Sequence, residues 1–411
     1  MSCLQFSARS SSPTGSPTGS PTGSPTGSPT DNRTTSPTNP ATYRPGLLSV
    51  IENGLLLSQG LTSRIIAQSG QYVTYSNGLN SSIPFHFRPD FGATFSVPDD
   101  ATENQGGWVY VSNSEMPETG QGGVGAITFD KDGNIVKYEM VLTNTTMNCA
   151  GGKTPWETFV TCEEVPYIGQ VYQVDPFGRR PPEILSLSKQ QAGRYEAFAY
   201  DDRNPAIPRF FVTEDQNNGP TRRWTPFPES IDWENEPWDM LHGNGTLEYL
   251  VMTPDTTNNN TGIYEWIDNV HLARENASVT YPATEGIDRK DNLLYIVTKN
   301  LKMLYILDLD SNTYLRISTV SGLFDGHPDQ VMHLVNQTDD IVYFNEDEGQ
   351  EAGVHGRNAQ GQYFTILEGI EWSIETTGLA LSPSGHHMYV AFQVRFYLEL
   401  SFDCVATICV Y

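Results

Sequence analysis

Basic residues are what this sequence has least of relative to need. Its 411 residues carry 24 Lys and Arg against 49 Asp and Glu, a formal net charge of −25. Such a balance argues against nucleic acid and anionic membrane surfaces as partners. It suits multivalent cations. It also repels an anionic substrate unless a bound cation supplies the largest local charge. Cysteine is scarce as well. Cys3, Cys149, Cys162, Cys404 and Cys409 are odd in number and too few for a disulfide framework. Cys149 and Cys162 either pair or are unrelated thiols. No apolar run is long enough to span a membrane, and the opening MSCLQFSARSSS lacks the apolar core of a secretory leader. Seven N-x-S/T sequons, at Asn32, Asn80, Asn144, Asn244, Asn259, Asn276 and Asn336, are the sign of a secreted or cell-surface location.

What is present divides into a tail and a globular body. From Ser12 to Thr30 the tetrapeptide SPTG repeats. Proline and glycine oppose helix and sheet, and nothing apolar is available for burial. Residues 1–42 therefore read as a disordered tether. From Tyr43 onward short strands recur between turn signals, with no convincing amphipathic helix. GVGAITF and IVKYEMVL flank a turn that contains Asp132-Gly133-Asn134, a hairpin signature. VYVSNSE, TFVTCEE, RFFVTED, NLLYIVT, IVYFNEDEG and LALSPSGHHMYVAFQ continue the series. Strand groups at this spacing indicate a β-propeller of about six four-stranded blades over residues 43–393. A sandwich or a β-helix is the structural alternative.

Several strands end alike. Asn113 and Glu115 close one, Cys162, Glu163 and Glu164 the next, Thr213, Glu214 and Asp215 a third, and Asn345 to Glu348 a fourth. Solvated strand-to-turn junctions also favour such residues. In a propeller, however, equivalent strand ends converge on one axis, where like charges need compensation. Calcium suits an oxygen-rich site, and a lone thiolate among oxygens suits iron or zinc.

The stretch NCAGGKTPWETFVTCEE, 148–164, resembles the hallmark of PhoX-type alkaline phosphatases and their eukaryotic, algal-like relatives. The similarity continues through VSNSE, GRYEAFAYDD, FFVTEDQNNGPTRRWTP, ATEGID, YFNEDEG and ETTGLALSPSGHHMYVAFQ. That resemblance implies a monomeric six-bladed propeller with Ca2+ and Fe3+ on its axis. It implies hydrolysis of small phosphomonoesters by attack of a metal-bound oxide or hydroxide. Carried over by motif, Cys162 is the expected thiolate ligand of iron and Glu163 its carboxylate neighbour. Asn113, Glu214, Glu285 and Glu375 complete the expected cage, and Thr213 lies beside the phosphate.

The sequence departs from the bacterial pattern in two places. Ala283 stands where that pattern has an arginine, so Arg222, Arg223 or Arg289 is needed as a phosphate fork. Tyr195 stands before Glu196 in place of a histidine. Residues 394–411 share no resemblance and read as an atypical tail of the kind unspliced sequence produces, so closure of the last blade is expected to suffer. Gly151-Gly152-Lys153 lacks the spacing of a nucleotide loop. DLDSN and DKDGN lack the glutamate of a calcium loop. The alternatives to a phosphomonoesterase are a metal-dependent hydrolase of a phosphodiester or lactone, and a non-catalytic calcium-binding propeller.

Overall fold

The computed structural model describes residues 44–98, 101, 103–334, 340–349, 351–370, 375–393 and 404–410. The expected tether over 1–42 lies outside them, as does much of the segment after 393. Strand dominates the secondary structure of the described chain, arranged as six antiparallel blades; a helix, Val270–Thr280, which buries only Ala273 and Ala277, stands where the sequence showed no convincing amphipathic helix. No described helix is long and apolar enough to cross a membrane.

Blade 1 is Pro89–Ser96, Trp108–Ser114, Gly122–Phe129 and Ile135–Thr145, from the axis outward. The turn around Gly133 lies between its last two strands, where Phe129 pairs with Ile135. Gly133 sits at φ +79°, a left-handed conformation that glycine adopts without steric cost. Blade 2 is Asn148–Lys153, Phe159–Glu163, Val171–Val174 and Glu183–Ile184. Blade 3 is Tyr195–Asp201, Arg209–Glu214, Arg222–Pro226 and Gly245–Pro254. Blade 4 is Thr284–Lys290, Leu293–Thr298, Met303–Asp308 and Thr313–Ser318. The strand Thr261–Ile267 pairs with the outer strands of blades 3 and 4 and joins them into one sheet.

The last two blades borrow strands from the start of the chain. Blade 5, His327–Met332, Val342–Asp347, Gly353–Arg357 and Tyr363–Glu368, is extended by Leu55–Gln59 and Arg44–Glu52. Blade 6 is Glu375–Leu381, His387–Gln393, Cys404–Val410 and finally Leu61–Gln68. The segment after Gln393 thus supplies a strand that pairs on both sides. This differs from the expectation of an open last blade: seven residues of the tail suffice to join the two ends of the chain through backbone hydrogen bonds.

Strand alternation builds the core. Along Phe159–Glu163, Val160 and Cys162 face blade 3, whereas Phe159 faces blade 1. Each of the six seams between neighbouring blades holds one apolar cluster. Burying a large apolar side chain contributes about 1.5–3 kcal/mol, so every blade is held from both sides. The seam of blades 6 and 1 is tightened by Tyr110, whose hydroxyl donates to Gly378 O at 2.8 Å. A Cβ on Gly378 would stand 2.5 Å from that hydroxyl oxygen.

Candidate metal centre

The innermost strands start at one mouth of the axis, and each brings an acid or a thiol there. In chain order these are Asp90, Cys149, Glu196, Glu285, Asp329 and Glu375, each at the first, second or third position of its strand. The second strand of a blade runs antiparallel to the first, so its end reaches the same mouth. Tyr195 pairs with Glu214, Asn148 with Glu163, and His327 with Asp347. The next layer is therefore Glu115, Glu164, Asp215, Lys299 and Asp347.

The potential ligand atoms form four triads, each with atoms within 4.8 Å of one another: Asp90–Glu115–Cys149, Cys149–Glu164–Glu196, Glu196–Glu285–Asp329 and Asp329–Asp90–Glu375. Neighbouring triads share Cys149, Glu196, Asp329 or Asp90, so the four close into a ring about the axis. Two triads contain the thiol and two contain oxygen alone.

The ring is electrostatically unfinished. Both carboxylate oxygens of Glu196 and Oδ2 of Asp329 are buried without a hydrogen-bond partner. Glu285 Oε1 meets only Lys299 Nζ, at 3.4 Å. Burial disfavours the charged carboxylate, and neighbouring acids add to the effect. Glu196, Glu164, Asp329 and Glu375 are pushed well above the carboxylate range on both grounds. Glu285 is raised to about 8 by burial and then by Asp215, and Glu115 to about 7 by burial and then by Asp90. Burial likewise raises the Cys149 thiol, with Asp90 the next cause. Three cations offset part of this charge at the rim. Arg88 meets Glu115 at 2.5 Å. Arg194 bonds Glu164 and lies 3.3 Å from Asp215. Lys299 meets Asp347 at 2.8 Å. An unmatched buried polar group costs about 1–3 kcal/mol, and a cation bound by these oxygens removes that cost. The donor set fits metal.

The expected ligands divide. Glu285 and Glu375 lie in the ring. Cys162 does not: it is wholly buried among Val160, Val171, Phe210 and Val212, and burial alone raises its thiol. Cys149 and Cys162 are both free cysteines. Glu163 does not reach the ring either. Its carboxylate accepts from Thr146 N and Gln170 N, both at 2.9 Å, and clamps a turn. Strand alternation turns Cys162 into the seam and Glu163 to the opposite side, and the mouth of the axis is reached only where the strand ends, at Glu164. Glu214 is committed to the buried Arg222 guanidinium, with Arg274 at 3.6 Å. That same pair withdraws Arg222 from any phosphate, because Gln191 O and the Tyr195 hydroxyl take the donors of Nη1 and the side chain is enclosed. Asn113 donates to Cys149 O at 2.6 Å and Ala150 O at 3.0 Å, so it holds the strand that carries the thiol. Thr213 donates to Glu285 O at 2.7 Å and holds the next one.

Asp90 and Asp329 escape the sequence reading, Cys149 and Glu196 enter it without a role as ligands, and Glu115 and Glu164 enter it only as strand ends. The available signal was an acid or thiol just after a turn, at the start of each innermost strand. Ala283, at φ +53°, lies in such a turn, and among the described residues the guanidiniums paired with Glu115, Glu164 and Asp215 are those of Arg88 and Arg194. The opposite mouth holds none of the ring acids: its cavity of about 370 Å³ is lined by Phe91, Phe198, Ile287, Val331 and Leu379 together with Lys153, Glu157, Asp288, Arg289 and His333, which places Arg289 away from the ring.

No protein-family model matches the sequence, and neither does any curated protein. Solved structures do match in fold. The chain is similar to Pseudomonas fluorescens PhoX in complex with vanadate, a transition state analogue, with a TM-score of 0.64 and 14% identity over 90% of this chain and 98% of that one. It is also similar to a protein of unknown function from Bacteroides thetaiotaomicron, with a TM-score of 0.50 and 10% identity over 86% of this chain and 77% of the other. The fold is thus PhoX-like, a six-bladed propeller whose axis carries an acid-rich, metal-compatible centre.

Proposed function

We propose that this protein is a metal-dependent phosphomonoesterase whose cations sit in the ring of four triads. The observation that carries the reading is that ring itself, with the partnerless oxygens of Glu196 shared by two of its triads. Cys149 belongs to two triads, and these suit iron; the two all-oxygen triads suit calcium. Bound there, the cations supply Lewis acidity, neutralise phosphoryl charge and lower the pKa of water.

The chain's own groups do the rest. Arg88, Arg194 and Lys299 stand at the mouth with side chains 24%, 32% and 27% exposed, close enough to solvent to meet an incoming anion. Arg194 holds Glu164 and Asp215 through its two terminal nitrogens and so brings fixed positive charge to the mouth. Lys299 stays protonated, its pKa raised by Glu285 and Asp347 against the effect of burial, so Nζ stabilises charge and does not donate its proton. Asn113 and Thr213 hold the ligand-bearing strands in register and keep the ring geometry fixed before substrate arrives.

Elemental analysis of the purified protein, together with hydrolysis of 4-nitrophenyl phosphate before and after chelation, tests the reading. Iron with calcium and a chelator-sensitive phosphatase activity support it. Calcium alone with no hydrolysis overturns it in favour of a binding propeller. Turnover confined to phosphodiesters or lactones overturns the phosphomonoester assignment and leaves the metal ring standing.

A further inference from the structure

The turns between second and third strands ring the acid mouth, and one of them differs in kind. In blades 1, 3 and 4 these turns are 115–121 (EMPETGQ), 215–221 (DQNNGPT) and 299–302 (KNLK). Each begins with a charged residue at the mouth and continues mostly polar. Blade 2 has 164–170, EVPYIGQ. It too begins with a ring acid, Glu164. Among these four turns it alone points two consecutive large apolar side chains outward, with Tyr167 80% and Ile168 70% exposed. The isolated apolar residue of blade 4, Leu301, is 39% exposed.

This turn is held firmly. Ile168 N and Gly169 N both donate to Val165 O, at 3.3 and 2.9 Å. Glu163 N donates to Gln170 O at 2.8 Å, and the Glu163 carboxylate accepts from Gln170 N. On its far side Gly193 N donates to Gly169 O at 3.3 Å, and Glu164 bridges Arg194. The apolar tip is thereby tied at its base to one ring acid and to the guanidinium beside it. Tyr167 adopts φ +68°, a left-handed conformation that a bulky residue occupies at a cost. Two hydrated apolar side chains and a strained backbone gain nothing from the rest of this chain. Tyr167 is the third residue after Glu164, a span of about 11 Å at most, so the tip lies within reach of the organic part of a molecule bound at the ring.

We infer that Tyr167 and Ile168 form a leaving-group platform: they bind the apolar organic portion of an ester whose phosphoryl group occupies the ring. The inference rests on the phosphomonoesterase reading and names its preferred substrate class, aryl and alkyl phosphates over polyol phosphates. Contacts made by the non-reacting part of a substrate raise kcat/KM for the esters that can make them. An exposed ring and a branched alkyl chain on a rigid turn provide that contact at small entropic cost.

The test compares full-length metal-loaded protein with its Tyr167→Asn, Ile168→Ser double variant, since asparagine tolerates the left-handed conformation. kcat/KM is measured for 4-nitrophenyl phosphate, hexyl phosphate and glycerol 2-phosphate. The expected result is a loss of about threefold to tenfold for the first two, with glycerol 2-phosphate unchanged and Tm equal to or above the parent's, since asparagine relieves the left-handed strain at position 167. An equal change for all three esters, or no change for any, overturns the platform while leaving the phosphomonoesterase reading intact. A parent protein that, loaded with iron and calcium, turns over none of them overturns both.

Discussion

The Cys149 thiol donates to Asp90 Oδ2 at 3.3 Å across the seam of blades 1 and 2, while Cys162 lies on the neighbouring strand, sealed in the seam of blades 2 and 3. Two thiols in one motif therefore have separable roles. Cys149→Ala is expected to lower bound iron and phosphatase activity together, because both thiol-containing triads lose their shared ligand. Cys162→Ala is expected to keep the metal and lower the unfolding free energy by about 1 kcal/mol, the cost of a small core deletion. Metal analysis and urea unfolding of the two variants check both outcomes. Iron lost from Cys162→Ala and retained in Cys149→Ala would reverse the assignment.

Arg222 and Glu214 are both fully enclosed, with side chains 1% and 0% exposed. Removing one member of a buried ion pair strands the other charge and costs about 3–5 kcal/mol. Arg222→Met is expected to lose that much stability, with Arg274 at 3.6 Å offsetting only part of it. Arg222→Met combined with Glu214→Gln is expected to lose less than the sum of the single changes. KM for 4-nitrophenyl phosphate should hold in whatever fraction stays folded. A large rise in KM with unchanged stability would instead return Arg222 to the substrate.

Much of the fold was legible because turn chemistry and strand alternation are local. Asp132-Gly133-Asn134 could be read as a hairpin, and the acid-tipped strands VYVSNSE, TFVTCEE and RFFVTED are indeed the second strands of blades 1, 2 and 3. The site was legible to within one residue and one strand. A strand ending in Cys-Glu-Glu does not reveal which side chain faces the axis until its pairing is known: Val160 and Cys162 share the apolar side, and the axis begins at Glu164. Asp90 and Cys149 stand just after turns, where an acid or small polar residue looks like any solvated junction. The contribution of Leu61–Gln68 to the last blade spans most of the chain, and no local pattern announces it.

Glu368 provides a pH handle outside the ring. It is buried, its Oε1 has no hydrogen-bond partner, and burial followed by Glu346 raises its pKa from the ordinary 4.5 to about 8. A carboxyl with a higher pKa folded than unfolded binds its proton more tightly in the native state. Its stabilising contribution is thus full below pH 4.5 and is lost as pH rises through 8. Glu368→Gln keeps the shape without the charge and is expected to raise Tm relative to the parent at pH 9 while matching it near pH 5. Thermal unfolding across that range, with calcium and iron held constant, checks the sign; a variant less stable than the parent at pH 9 contradicts it.

Closure of the propeller depends on Cys404–Val410, which pairs with His387–Gln393 on one side and Leu61–Gln68 on the other. Ending the chain at Gln393 would leave both neighbours with unpaired backbone groups, and such edges recruit strands from other molecules. The truncated protein is expected to unfold at lower temperature than the full chain and to aggregate during refolding. A synthetic peptide spanning residues 404–410 offers the missing backbone donors and acceptors in trans, by the strand addition that exposed sheet edges accept. It should suppress the aggregation in proportion to its concentration, whereas a version with proline at Ala406 and Ile408 should not, because proline removes donors from the ladder. Light scattering during refolding separates these cases. Unimpaired refolding of the truncated chain would show that the blade closes without this strand.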